Sequence, residues 1–113
     1  MNQSWLPEYR ICGIPETLEP YPDVPTHFFL EQAAREFPRL RCVQMGLEIS
    51  YREINEHAER LAGGLYALGI RKGDRVATLL PTSIQFVVAD AAISKAGGVH
   101  VPASFLEARD TLA

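Results

Sequence analysis

Three histidines, His27, His57 and His100, are the side chains best suited to hold a metal ion or move a proton near neutral pH. They stand in three separate stretches, and none has a cysteine or carboxylate at metal-ligand spacing. Each reads as structural, and no metal is assigned. Glu53, Glu56 and Glu59 offer carboxylates of the kind paired for acid–base work, but their spacing fits a helix cap and a solvated helix face better. Arg71-Lys72-Gly73-Asp74 brings cations and a glycine that would suit a phosphate. It lacks the GxxxxGK[ST] order and precedes a strand, whereas a phosphate loop follows a strand and opens a helix, so it reads as a turn. Ser83 lies outside any GxSxG context, which argues against a hydrolase nucleophile. Cys12 and Cys42 form no CxxC pair and read as two reduced thiols, with a disulfide as the alternative. No catalytic, cofactor-binding or metal residue is assigned.

The elements around these residues are easier to place. Residues 1–25 carry five of the eight prolines, Pro7, Pro15, Pro20, Pro22 and Pro25, which predicts an extended arm rather than a helix. Trp5, Tyr9 and Tyr21 give that arm apolar surface to lay against a neighbour. Thr26 is the expected N-cap of a helix to about Phe37, with Phe29, Leu30, Ala33, Ala34 and Phe37 on one stripe. Residues 42–45 and 47–49 around Gly46 suggest a hairpin. Ser50-Tyr51-Arg52-Glu53 has the form of a capping box. The helix behind it should bury Ile54, Ala58, Leu61, Leu65 and Leu68, and end at Gly69. Gly63-Gly64 inside that helix costs about 1 kcal/mol each relative to alanine, which implies close approach by a neighbouring element.

Arg75-Val76-Ala77-Thr78-Leu79-Leu80 reads as a strand covered on both faces. After Pro81, a helix capped by Thr82 or Ser83 runs to about Ala96 and is apolar almost all round, the pattern of a buried helix. Gly97-Gly98 closes it, and Val99-His100-Val101 is the next strand. Strand, helix and strand make a βαβ unit with parallel strands. Glu107 to Ala113 look like the opening turns of a helix that ends without a cap, as in a chain cut from something longer. The fold class is α/β: βαβ units, a mostly parallel sheet flanked by helices, and a short hairpin. Residues 1–25 form the arm, and residues 26–113 form part of a larger α/β domain.

Composition narrows the function. The 113 residues are 47% hydrophobic and 22% charged, ordinary for one globular unit with a modest core. A net charge of −3, with Lys72 and Lys95 the only lysines, argues against nucleic-acid or anionic-membrane surfaces. The N-terminus lacks a basic region followed by an apolar core, and no apolar run approaches the roughly 20 residues that span a bilayer. A cytoplasmic location is the expectation.

Three blocks add a resemblance. Ile49-Ser50-Tyr51-Arg52-Glu53-Ile54 resembles the first conserved block of the AMP-forming adenylating enzymes: a small hydroxyl residue, Tyr, any residue, Glu, Leu. Gly69-Ile70-Arg71-Lys72-Gly73-Asp74-Arg75-Val76-Ala77, followed by Leu80-Pro81-Thr82-Ser83, is similar to their next stretch. Lys95-Ala96-Gly97-Gly98-Val99-His100-Val101-Pro102 resembles their second block. In the arm, Trp5-Leu6-Pro7-Glu8-Tyr9 and Gly13-Ile14-Pro15 resemble the start of long-chain fatty-acid–CoA ligases.

The resemblance implies a parent enzyme that joins a carboxylic acid to ATP and passes the acyl group to CoA, with release of pyrophosphate and AMP. It implies ATP, Mg2+ and CoA as the parent's ligands, a fatty acid as its substrate, and the remainder of the enzyme as this segment's partner. In such enzymes the phosphate loop ending in Pro-Lys-Gly, a Thr/Glu motif, a ribose-binding Asp and a catalytic lysine all lie downstream. No site residue is therefore transferred to residues 1–113, and the segment alone is expected to be inactive. Two rivals stand beside this reading. One is a piece of an aryl-CoA ligase or a peptide-synthetase adenylation domain. The other is a stand-alone interaction module whose apolar helix, residues 83–96, is left uncovered and would pair copies of the chain or take a partner.

Overall fold

The computed structural model describes residues 4–44, 46–104 and 106. Their order is α1 (Leu6–Ile11), α2 (His27–Glu36), β1 (Arg41–Gln44), β2 (Leu47–Ser50), α3 (Tyr51–Ala67), β3 (Arg75–Thr78), α4 (Ile84–Lys95) and β4 (Val99–Pro102). The expected helix over 107–113 lies outside the described residues, as does Met45 at the end of the first hairpin strand.

The α/β class holds, and α4 is its centre. Strands β3 and β4 pair in parallel, with Arg75 opposite Val99 and Thr78 opposite Pro102. Helix α4 connects them and packs against both, while its opposite side meets α3 and α2. That position between a sheet and two helices explains a helix apolar on nearly every side. The hairpin β1–β2 is a separate antiparallel sheet, in register from Arg41–Ser50 to Gln44–Leu47.

Capping chemistry sets the helix ends. Ser50 Oγ accepts from the Glu53 backbone N–H at 3.3 Å, and the Glu53 carboxylate accepts from the Ser50 N–H at 2.9 Å. Both halves of the capping box are thus present. Helix α4 opens on Ser83, whose Oγ accepts from the Phe86 N–H at 3.2 Å. At their C-termini α3 and α4 close in the same way. Gly69 (φ +103°) lets the Ile70 N–H reach Leu65 O at 3.1 Å, and Gly97 (φ +82°) lets the Gly98 N–H reach Ile93 O at 2.9 Å. Each is a 6→1 closure with a glycine in the left-handed region.

Four expectations need correction. The arm is not extended throughout, because Leu6–Ile11 is helical. Pro7 sits in the first turn, where no intrahelical partner is needed for its missing N–H and its fixed φ suits a helix. The arm's aromatic side chains do not find a surface among the described residues: Trp5, Tyr9 and Tyr21 are all exposed.

The second and third corrections concern α3. It buries Ile54, Ala58 and Ala62 with Leu65 alongside, while Leu61 and Leu68 remain exposed. The inward row steps by four residues and meets Ala91 and Ala92 of α4, so alanines rather than leucines line the seam and the helices pack closely. Gly63 and Gly64 lie on the other side, with nothing within 4 Å of where a Cβ would stand. No described element makes the close approach inferred from them.

The fourth concerns the parallel pair. Val76, Thr78 and His100 are half-buried on the α4 side, but Ala77, Val99 and Val101 are exposed on the other. Among the described residues, the pair is covered on one face only.

Candidate functional site

Three polar clusters hold the functional side chains that the fold brings together. The first crosses the βαβ unit. His100 of β4 bonds Asp90 Oδ1 of α4 through Nδ1 at 2.7 Å and Thr78 Oγ1 of β3 through Nε2 at 2.7 Å. Against an Asp90 carboxylate Nδ1 donates; in the neutral imidazole Nε2 then accepts from the Thr78 hydroxyl, and in the imidazolium it donates to Thr78 Oγ1. The imidazole is nearly buried and leans on the Phe86 ring, with centroids 5.3 Å apart. Carboxylate, imidazole and hydroxyl follow the order of a hydrolytic triad. Thr78, however, faces α4 and does not line the apolar cleft between β2, α3 and the start of α4. The relay ties two strands to their crossover helix.

The second cluster joins three helices. Lys95 of α4 has a side chain only 9% exposed; its ammonium donates to Glu31 Oε1 of α2 and lies 3.8 Å from Glu59 Oε1 of α3. Beside it, His27 Nδ1 meets Ser94 Oγ at 3.0 Å. The hydrogen bond from Lys95 is the main reason the Glu31 carboxyl titrates below the usual glutamate value. The charges of Lys95, His27 and Arg35 add to it, and burial opposes it. Because the folded-state value is depressed, this stabilisation is present above the ordinary glutamate range and fades as pH falls through the folded value. The urea midpoint is therefore expected to drop on acidification from about pH 5 to about pH 3, with a shallower drop in Glu31→Gln. Equilibrium unfolding across that range checks it, and equal slopes in both chains would remove Glu31 as the cause.

The third cluster surrounds an apolar cleft of about 630 Å³ between β2, α3 and the start of α4. Leu47, Ile49, Leu61, Leu80, Ile84 and Val88 supply its walls, and Glu53 and His57 stand among the polar residues that line it. Glu53 titrates below the usual glutamate value because the Ser50 hydroxyl, and then the Ser50 N–H, bonds its carboxylate.

The remaining candidates fall into local roles. His27, His57 and His100 occupy three separate places. Glu56 lies 3.9 Å from Arg52, and Glu59 accepts from Asn55 at 2.8 Å. In the Arg71–Asp74 turn, the Arg71 N–H donates to Asp74 Oδ2 at 2.7 Å. The Arg71 guanidinium lies 3.9 Å over the Tyr66 ring and donates to the Tyr66 and Ile70 carbonyls. With Lys95 bound to Glu31 and Arg71 held in this way, these two cations do not converge on a phosphate. No group of three or more His, Cys, Asp or Glu among them gathers at metal-binding distance. Cys12 and Cys42 are free thiols. No helix among the described residues is long and apolar enough to cross a membrane.

Sequence reading missed Asp90, Thr78 and Lys95 as members of these clusters. The available signal was a lone aspartate and a lone lysine on an otherwise apolar helix, which demand partners wherever that helix is buried.

The two joints singled out in the sequence meet in space. The Gly73 N–H donates to Gly97 O at 2.9 Å, and the Val99 N–H donates to Asp74 O at 2.7 Å. A Cβ on Gly97 would stand 3.2 Å from Lys72 Cα, and one on Gly98 would stand 3.1 Å from Ile93 Cγ2. The turn before β3 and the turn before β4 form one interlocked backbone unit.

Comparison with known proteins agrees with this arrangement. The sequence profile of the family described as AMP-binding enzyme matches residues 30–112. Malpibaldin synthetase of Mortierella alpina is 42% identical over 88 residues, covering 76% of this chain and 2% of that protein. A long-chain-fatty-acid–CoA ligase of Mycobacterium tuberculosis is 40% identical over 78 residues, covering 66% of this chain and 16% of the ligase. The solved structure of a Mycobacterium tuberculosis fatty acyl CoA synthetase superposes with a TM-score of 0.72 at 35% identity, over 78% of this chain and 18% of that one. The chain thus spans less than a fifth of the length of each of these three proteins.

Proposed function

Because the chain belongs to the AMP-binding enzyme family, we propose that it is the N-terminal scaffold of an AMP-forming acid–thiol ligase, of the kind that makes fatty acyl-CoA. The whole enzyme would convert a carboxylic acid, ATP and CoA into acyl-CoA, AMP and pyrophosphate in the cytoplasm. The observation that carries the scaffold role is the interlocked turn pair. The residues most like the family's blocks, from Gly69 to Ala77 and from Lys95 to Pro102, are joined by backbone hydrogen bonds between Gly73 and Gly97 and between Asp74 and Val99. Their glycines serve close backbone approach and their charged side chains serve turns and helix ties. In this proposal the groups that hold ATP, Mg2+ and CoA come from elsewhere in the polypeptide.

The fatty-acid assignment is supported by the Trp5–Tyr9 and Gly13–Pro15 pattern of the arm and by the match to a long-chain-fatty-acid–CoA ligase. The peptide-synthetase adenylation domain is the competing reading, because the matched relatives include peptide synthetases as well as the fatty-acid ligase. Acyl-CoA and AMP formation separates them. The 113-residue chain is expected to form neither product with any acid. The polypeptide extended into the coding sequence beyond Ala113 is expected to form both with long-chain fatty acids. Turnover by the short chain would overturn the scaffold role, and adenylation of amino acids alone would overturn the fatty-acid assignment.

A further inference from the structure

Five residues of the arm, 21–25, combine a restricted backbone with exposed apolar side chains. Pro22 and Pro25 fix their own φ, and each pushes the residue before it, Tyr21 and Val24, out of the helical region. Four of the five are thereby biased to the polyproline II helix. In the structure they belong to no helix or strand, and all but the half-buried Val24 are exposed, Tyr21 by 67%. The Phe28 N–H donates to Pro25 O at 2.9 Å, which anchors the strip to the first turn of α2. Three residues per turn place Tyr21 and Val24 on one edge of such a helix and Pro22 and Pro25 on the next. Those two edges make one apolar ridge, and Asp23 stands on the third. Charge is one-sided as well. The chain has no lysine or arginine between Arg10 and Arg35, and Arg10 is bonded to Glu16, while Glu19 and Asp23 border the ridge. The strip also precedes the region matched to the AMP-binding family, which begins at residue 30.

We propose that residues 21–25 are a docking strip for a separate protein domain, one that grips a polyproline II ridge in an aromatic-lined groove with a cationic rim. Tyr21-Pro22 and Val24-Pro25 each fill one slot of the groove, and Glu19 and Asp23 meet the rim. The prolines hold the free strip near its bound form, so docking costs little ordering entropy. The cationic rim supplies the charge that this stretch of the chain lacks, and it steers the two together in a salt-dependent way.

The test titrates the isotope-labelled 113-residue chain with isolated SH3, WW and EVH1 domains chosen to span basic and acidic groove rims. Nuclear magnetic resonance shifts are the readout, with thermal melting as the check that each variant folds. At least one basic-rimmed domain is expected to shift the amides of Tyr21, Asp23, Val24 and Thr26, and to bind more tightly than the acidic-rimmed ones. Pro25→Ala, Tyr21→Ala and Asp23→Lys should each weaken that binding several-fold with the melting temperature unchanged, and added salt should weaken it as well. The polypeptide extended beyond Ala113 should bind the same domain equally well. A panel that leaves the 21–26 amides unmoved would overturn the proposal. So would binding indifferent to Pro25→Ala and Tyr21→Ala, or a preference for acidic rims. An extended polypeptide that shields Tyr21 from solvent and no longer binds would also overturn it, by showing that the enzyme covers its own strip.

Discussion

Replacing Gly97 with alanine is expected to destabilise the chain by roughly 2–6 kcal/mol, whereas the same change at Gly64 should stabilise it by about 1 kcal/mol. Gly97 has φ +82°, where a side chain is strained, and its new Cβ would stand 3.2 Å from Lys72 Cα. That neighbour is backbone and cannot swing aside. Moving it would lengthen the Gly73 N–H to Gly97 O bond, now 2.9 Å, and disturb the Asp74–Val99 bond beside it. Left-handed strain and overpacking each contribute about 1–3 kcal/mol. Gly64 is exposed inside α3, with ordinary helical geometry and nothing within 4 Å, so alanine there only restricts the unfolded chain and favours the helix. Urea midpoints at unchanged slope give both values. Equal effects at the two positions would show that the turn pair around Gly97 is not a rigid unit.

The contrast between these glycines shows where sequence reading stops. The capping box at Ser50, the glycine closures at Gly69 and Gly97, and the strand–helix–strand unit follow from short-range spacing, because caps and turns are decided within a few residues. Gly63-Gly64 reads as a close-contact site on the same local logic, but what approaches a helix is set by other elements. The rotation of α3 is a related case. The leucines at 61, 65 and 68 and the alanines at 58 and 62 fall within overlapping arcs, and only the alanine row of α4 decides which arc turns inward. The Asp90–His100–Thr78 relay needs partners 10 and 22 residues apart in the chain, brought together by the parallel register. The Lys95–Glu31 pair spans 64 residues and depends on α2 lying across α4. Proline density across the arm predicts extended chain at Pro7, but a proline in the first turn favours a helix.

Ile93→Ala is expected to cost about 2–5 kcal/mol, a large share of the 5–15 kcal/mol that ordinarily separates a folded domain from its unfolded state. Among the described residues Ile54 and Ile93 are the largest fully buried side chains, and Ile93 stands outside the alanine cluster between α3 and α4. A close-packed interior relaxes only partly around a deleted side chain, so most of the cavity remains. Ile93 also carries the joint at the end of α4: its carbonyl accepts from the Gly98 N–H at 2.9 Å, and its Cγ2 fills the space beside Gly98. Truncation therefore loosens the turn before β4, and the Asp90–His100 bond should weaken with it. Ile93→Val, which removes one methyl group, should cost about 0.5–1.5 kcal/mol. Leu68→Ala, at a position 84% exposed, should stay within about 0.5 kcal/mol of the unaltered chain. Thermal unfolding followed by near-ultraviolet circular dichroism ranks the three. A cost at Ile93 no larger than that at Leu68 would mean that the packing of α4 against the turn before β4 does not hold this fold together.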